Sequence, residues 1–281
     1  MGKLKVGAFL NSFAMDFKSA MAKASELGLE AIEFSSIPNE IDVFKPFTDE
    51  EAKAIKDEFT KRNIVISSIC AEVGGFSIAD TEEAKKRVEA VKICIDNAIK
   101  LGTNIIQFHI GELEFPEDDI RFIENQSENI VKKATEDVEK TNLINSLKEL
   151  DAYATPKGVK LATETGPEPG DKLSKFIDEL NLPAVNVNFD PANLCMWNWD
   201  EVKSVYDLKG KIIHTHAKDG IRNSKDQNFL EKALGDGDVR WNEYLKALED
   251  IGYDGYFIIE RECGDNPVND IAMAAKFLKA Q

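Results

Sequence analysis

Two rhythms of hydrophobic and polar positions alternate along the chain. Short apolar or alternating runs near 4–10, 30–35, 64–70, 104–110, 158–164, 184–190, 211–217 and 255–260 have the length and composition of strands. Between them, apolar residues recur at steps of three and four. That spacing predicts helices near 16–28, 48–62, 81–101, 117–156 (broken near Thr141), 171–181, 199–208, 240–251 and 268–280. The helix over 81–101 is the clearest. Ala84, Val88, Val91, Ile95 and Ala98 share a face, Asp80-Thr81-Glu82-Glu83 supplies a capped start, and Gly102 supplies a stop. Eight strand-then-helix units with no strand left over predict an α/β fold, a (β/α)8 TIM barrel, as one domain over 1–281. The main competitor is a doubly wound open sheet, which normally carries a Gly-rich phosphate turn; neither GxGxxG nor GxxxxGK[ST] occurs. The stretch 111–142 is longer than an ordinary strand-to-helix connection. An extra helix at the barrel mouth, serving as a cover or a homo-oligomer contact, is one reading; a plain surface insertion is the equal alternative.

Four of the strand-like runs end on residues that bind metals. They close on Glu164, Asp190, His216 and Glu260. Counting back by two places Asn186 and Asn188 inside with Asp190, His214 inside with His216, and Ile258 inside with Glu260. Val185, Val187, Phe189, Ile213, Phe257 and Ile259 then face the helices. Neighbouring strands lie about 5 Å apart, and barrels of this kind keep their active sites at the C-terminal strand ends. The four residues therefore form an arc that can hold one divalent cation. Mostly oxygen with one imidazole, the set suits Mn²⁺ first, then Mg²⁺ or Co²⁺, and tolerates Zn²⁺. Singly, each carboxylate has a plainer reading. Asp190 precedes Pro191 and can cap a turn, Glu164 can pair with Lys218, and Glu260 with Arg261 or Arg222. Their common position at successive strand ends outweighs those alternatives. The chain has only three histidines, all at or near strand ends: His216 is the expected ligand, His214 a weaker candidate, and His109 a pocket-lining residue.

Composition narrows the function further. At 281 residues and 43% hydrophobic, the chain has ample material for a core, and no apolar run reaches the length of a membrane span. With no signal-peptide pattern, a cytoplasmic location and no membrane partner are expected. Cys70, Cys94, Cys195 and Cys263 are scattered without a CxxC pair, as befits reduced thiols. A net charge of −16 argues against a nucleic-acid partner. Gly74-Gly75-Phe76 and Met196-Trp197-Asn198-Trp199 are expected to border the pocket, although both tryptophans also suit packing at a helix start.

Several motifs together resemble the xylose-isomerase-like sugar isomerase/epimerase superfamily. They are Thr163-Glu164-Thr165-Gly166, Asn188-Phe189-Asp190-Pro191-Ala192-Asn193, His214-Thr215-His216-Ala217-Lys218-Asp219, and Gly252-Tyr253-Asp254-Gly255 leading to Ile259-Glu260-Arg261-Glu262. Gly235-Asp236-Gly237-Asp238-Val239-Arg240-Trp241 is similar too, and the order holds over nearly the whole chain. The resemblance implies a TIM barrel with one divalent metal on Glu164, Asp190, His216 and Glu260. In ketose 3-epimerases of that superfamily, the two metal-bound glutamates also act as acid and base. It further implies substrate contacts. Arg222 matches the family's arginine, Asn193 stands where the epimerases carry histidine, and Glu168 is the acid nearest their substrate-binding glutamate, whose own position falls on Gly170. His109 and His214 complete the expected substrate-binding set.

The function expected is a divalent-metal-dependent isomerase or epimerase of a small sugar or keto-sugar. A proton would leave the carbon next to a carbonyl, giving an enediolate that the cation stabilises. The alternative is a metal-dependent dehydratase of a keto-sugar or an inosose-like cyclitol, and a third reading is a non-catalytic sugar-binding barrel. A DNA-repair enzyme like endonuclease IV is disfavoured, because three histidines cannot supply its three-zinc cluster.

Overall fold

The computed structural model describes residues 3–113, 137–222 and 231–281. Eight parallel strands close into a barrel, each formed where the sequence predicts it. In chain order they are β1 (Lys5–Phe9), β2 (Ala31–Phe34), β3 (Val65–Cys70), β4 (Ile105–Phe108), β5 (Lys160–Glu164), β6 (Val185–Phe189), β7 (Ile212–Ala217) and β10 (Tyr256–Ile259). Around the barrel the order is β1-β10-β7-β6-β5-β4-β3-β2. A small antiparallel pair between β7 and β10, β8 (Asp219–Gly220) with β9 (Glu231–Lys232), was not foreseen; two-residue strands carry no readable period.

Nine α-helices are seen among the described residues: α1 (Phe17–Glu26), α2 (Asp49–Arg62), α3 (Thr81–Leu101), α4 (Asp137–Ala154), α5 (Gly170–Leu180), α6 (Pro191–Met196), α7 (Glu201–Asp207), α8 (Trp241–Ile251) and α9 (Pro267–Lys279). Local chemistry sets their ends. Thr48 and Glu51 form a reciprocal capping box on α2, and the Asp80 side chain accepts from Glu82 and Glu83 backbone N–H at the start of α3. The break expected near Thr141 is absent. α4 runs through it because Leu143, Leu147, Leu150 and Ala154 keep one buried stripe, and that burial outweighs threonine's helix penalty of a few tenths of a kcal/mol. The helix stops before Pro156, in a 3-10 turn over Thr155–Lys157. Most of the 111–142 stretch, including any extra helix or homo-oligomer contact there, lies outside the described residues.

The outward strand faces meet the helices through aromatic rings, with Phe34 against Phe59 (6.0 Å between centroids) and Phe189 stacked on Tyr244 (5.5 Å), while Phe108 packs edge-on against Phe76 of the β3–α3 loop (5.8 Å). Inside, space is tight. A Cβ on Gly7 would lie 2.4 Å from the Ala31 carbonyl oxygen and 2.5 Å from Ile258 Cδ1. The β2–β3 register shifts at Ile32/Glu33, bringing Glu33 opposite Ser68. All four cysteines are free thiols, and no described helix is long and apolar enough to cross a membrane.

Candidate metal centre

The C-terminal ends of β5, β6, β7 and β10 bring Glu164, Asp190, His216 and Glu260 together. One ligand atom from each lies within 4.8 Å of all the others. The strands are consecutive neighbours in the barrel, so the arc expected from the sequence is present. A latch fixes its centre: the Asp190 backbone N–H donates to Thr165 Oγ1 (2.8 Å), and that hydroxyl donates to the Asp190 carbonyl (2.9 Å).

Asp190 divides its two oxygens between two tasks. Oδ1 caps α6, accepting from the backbone N–H of Ala192 (2.7 Å) and Asn193 (3.2 Å). Oδ2 is buried without a hydrogen-bond partner, and so is Nδ1 of His216. That nitrogen lies 3.2 Å from Glu260 Oε2 and 3.5 Å from Glu164 Oε1, with its other ring nitrogen engaged elsewhere. Orphaned buried polar atoms are uncommon in native proteins. Two of them facing one ring of carboxylates fit a cation, and the hard oxygen donors with one imidazole fit Mn²⁺, Mg²⁺ or Co²⁺.

The electrostatics agree. Burial pushes the Asp190 carboxyl up to about 8, only partly opposed by the Lys218 ammonium at 3.8 Å. Burial alone would lower His216, yet the carboxylates of Glu260, Glu164 and Glu33 hold it well above the usual imidazole range. For Glu164, burial is outweighed by His109 and His216, which bring it down to about 2. For Glu260, burial is outweighed by His216 and Lys218, which hold it well below the usual carboxylate range.

The two glutamates are held differently. Glu164 accepts from amides on both oxygens: Asn193 Nδ2 (2.8 Å) on Oε1, and Gln107 Nε2 with the more distant Asn188 Nδ2 (3.4 Å) on Oε2. Glu260 takes Lys218 Nζ on Oε2 (3.0 Å), and that ammonium also contacts Glu262. No hydrogen-bond donor among the described residues reaches Glu260 Oε1.

The remaining expected site residues fall in several places. His109, half-exposed, puts Nε2 3.5 Å from Glu164 Oε2 and 3.7 Å from Glu72 Oε2; burial is outweighed by those carboxylates, so its pKa is raised. Asn193 joins the cluster as a donor to Glu164. Glu168, in the loop between β5 and α5, is buried and accepts from the Leu113 backbone N–H. Arg222 is engaged by the buried Glu201 and by the Trp199 carbonyl. His214 sits beneath the cluster, 2% exposed, with Nδ1 on Asn188 Oδ1 (2.9 Å) and Nε2 on Ser68 Oγ (3.0 Å). Burial lowers its pKa to about 4, and both ring nitrogens lie against protein groups rather than facing the pocket. Trp199 donates its indole N–H to the Pro167 carbonyl, which is the packing reading of that aromatic run.

Sequence reasoning missed Glu33. It is fully buried on β2, with Oε1 3.0 Å from His216 Nε2 and Oε2 in contact with Ser68 Oγ. A carboxylate in the otherwise apolar run Ala31-Ile32-Glu33-Phe34 was the available signal. Glu33, His214 and His216 also satisfy the spacing of a metal site. Yet none of their atoms on that side lacks a partner, so hydrogen bonding accounts for the group.

Comparison with known proteins gives the same architecture. A family model described as a xylose isomerase-like TIM barrel matches residues 21–281. The chain belongs to that family. Among its curated relatives is an inosose dehydratase of Clostridium perfringens, 26% identical over 190 residues, covering 60% of this chain and 60% of that protein. An L-ribulose-5-phosphate 3-epimerase of Salmonella heidelberg is 23% identical over 265 residues, 92% of this chain and 87% of that one. The match thus spans only about 60% of the length of the dehydratase. A xylose isomerase domain protein from Planctomyces limnophilus superposes with a TM-score of 0.75 at 24% identity, over 99% of this chain and 96% of that one; at this identity the likeness speaks for the fold.

Proposed function

We propose that the protein is a divalent-metal-dependent isomerase or epimerase of a small sugar or keto-sugar. The observation that carries the proposal is the pair of orphaned atoms, Asp190 Oδ2 and His216 Nδ1, facing Glu164 and Glu260 at four consecutive strand ends. Glu164, Asp190, His216 and Glu260 would hold the cation, which when bound supplies Lewis-acid polarisation of a carbonyl and makes the neighbouring C–H more acidic. Glu260, with Oε1 clear of described donors, would take that proton. Lys218, donating to Oε2, keeps the Glu260 carboxylate oriented for that transfer. Glu164, its oxygens fixed by Asn193 and Gln107, is the second proton-handling group if the centre is inverted. His109 at the mouth is suited to a substrate hydroxyl.

A dehydratase is the second reading, favoured by the inosose dehydratase relative. The same first proton is removed, and a β-hydroxyl then leaves as water after gaining a proton, giving an unsaturated keto product. A panel of ketoses, keto-sugars and inososes incubated with Mn²⁺ in D₂O and followed by NMR tests both. The proposal expects deuterium at the carbon next to the carbonyl, with an isomer or epimer as product. Loss of water with a new C=C signal would favour the dehydratase. No exchange and no product with any member would point to a binding protein.

A further inference from the structure

Beneath the candidate metal centre the barrel carries a closed set of polar side chains that no ligand assignment uses. Glu33 reaches across the lumen from β2 to β7, so that His216 Nε2 lies 3.0 Å from Glu33 Oε1. The other carboxylate oxygen contacts Ser68 Oγ, whose hydroxyl lies 3.0 Å from His214 Nε2; His214 Nδ1 in turn meets Asn188 Oδ1 at 2.9 Å. Asn188 Nδ2 closes the circuit on Glu164 Oε2 at 3.4 Å. Glu33, Ser68, Asn188, His214 and His216 are all at most 2% exposed. The β2–β3 register shift is what sets Ser68 opposite Glu33.

We infer that Glu33 is the positioning residue of the site: a carboxylate that fixes His216 for metal binding. An imidazole ligates through one nitrogen, and the proton on the other determines which one. Because Glu33 accepts from Nε2–H, the lone pair is left on Nδ1, the atom that faces Glu164 and Glu260 without a hydrogen-bond partner. The carboxylate also locks the ring plane and strengthens the nitrogen as a donor, as outer partners of histidine ligands generally do. Ser68, by engaging the second oxygen of Glu33, keeps the carboxylate from rotating away. His214 and Asn188 continue the same buried polar layer toward Glu164, whose Oε2 Asn188 Nδ2 meets at 3.4 Å, so the layer underlies two of the four proposed ligands.

This inference rests on the proposed metal centre, and the test separates the two. Mn²⁺ and Co²⁺ affinities are measured by calorimetry on purified wild type, Glu33→Gln, Glu33→Ala, Glu33→Asp and His216→Gln, with the Co²⁺ d–d spectrum recorded for each. Thermal unfolding in EDTA confirms that each variant is folded; Glu33→Gln, nearly isosteric, keeps the test available if the alanine variant does not fold. Metal affinity should fall about 10- to 100-fold in Glu33→Gln with a changed Co²⁺ spectrum, and Glu33→Asp should recover part of the loss. In a His216→Gln background, Glu33→Gln should have no further effect on affinity. Folded Glu33 variants with wild-type affinity and spectrum would overturn the inference, as would an equal loss in the His216→Gln background. Wild type that binds neither ion would instead remove the metal centre itself.

Discussion

Replacing Asp190 with asparagine should have opposite effects on metal binding and on the stability of the metal-free protein. The substitution keeps an oxygen for the Ala192 and Asn193 N–H groups, so the cap on α6 survives. It removes a charge that the metal-free fold tolerates poorly, since burial lifts this carboxyl from 3.8 to about 8. A group whose pKa is raised on folding binds an extra proton in the native state. Its contribution is complete below the unfolded value and is lost as pH rises through the folded one. At neutral pH the protonated side chain has therefore forfeited about 3 units at 1.36 kcal/mol each, about 4 kcal/mol relative to an unshifted group. The introduced amide places N–H donors near Lys218, 3.8 Å from Oδ2, and this offsets part of the gain. The expected net stabilisation is on the order of 1–2 kcal/mol, within the range typical of single stabilising changes at functional sites. At about 2–4 °C per kcal/mol for a domain of this size class, that shift is measurable by differential scanning fluorimetry in EDTA. The advantage should grow from pH 5 to pH 8. Saturating Mn²⁺ should reverse the order, because a ligand at one hundred times its Kd stabilises the wild type by about 2.7 kcal/mol while the variant binds it weakly. An Asp190→Asn protein less stable than wild type in EDTA, yet equally stabilised by Mn²⁺, would refute the reasoning.

Glu164→Gln and Glu260→Gln should each lower turnover of the true substrate by at least about 100-fold while unfolding near the wild-type temperature, as seen in paired kinetic and melting measurements. Asp219→Ala strands the backbone N–H of Gly235 and Val239 and the Trp241 indole N–H, all now bound by that carboxylate, and should cost about 3 kcal/mol or more in denaturant unfolding. Gly7→Ala should cost about 1–3 kcal/mol through overpacking. Ile258→Val should not rescue it, because the Ala31 carbonyl at 2.4 Å remains in the way.

The barrel was legible because each strand and helix carries its own period, and the cluster of Glu164, Asp190, His216 and Glu260 was legible because each ends an apolar run at the same strand end. What escaped depends on closure of the barrel. Glu33 and His216 are 183 residues apart and meet only across the lumen, with a register shift that nothing in the local pattern announces. Asp190 shows a different limit. The capping and ligand readings were weighed as rivals, while in the fold Oδ1 makes the cap and Oδ2 is left without a partner beside the cluster, so the two do not compete. Arg222 matches a substrate-contacting position by spacing, yet the sequence does not reveal that the buried Glu201 competes for it. His214 follows the inward alternation as expected, but alternation does not give depth, and depth places it in the supporting layer.

Metal stoichiometry tests the central claim most directly. Wild type and His216→Gln would be stripped with chelator, reconstituted separately with Mn²⁺, Co²⁺ and Mg²⁺, desalted and subjected to elemental analysis. The account predicts about one equivalent of Mn²⁺ or Co²⁺ on the wild type and a large loss in the variant, since four ligand atoms within 4.8 Å define a single site. No stoichiometric metal on folded wild-type protein with any of the three ions, or equal retention by His216→Gln, would contradict it.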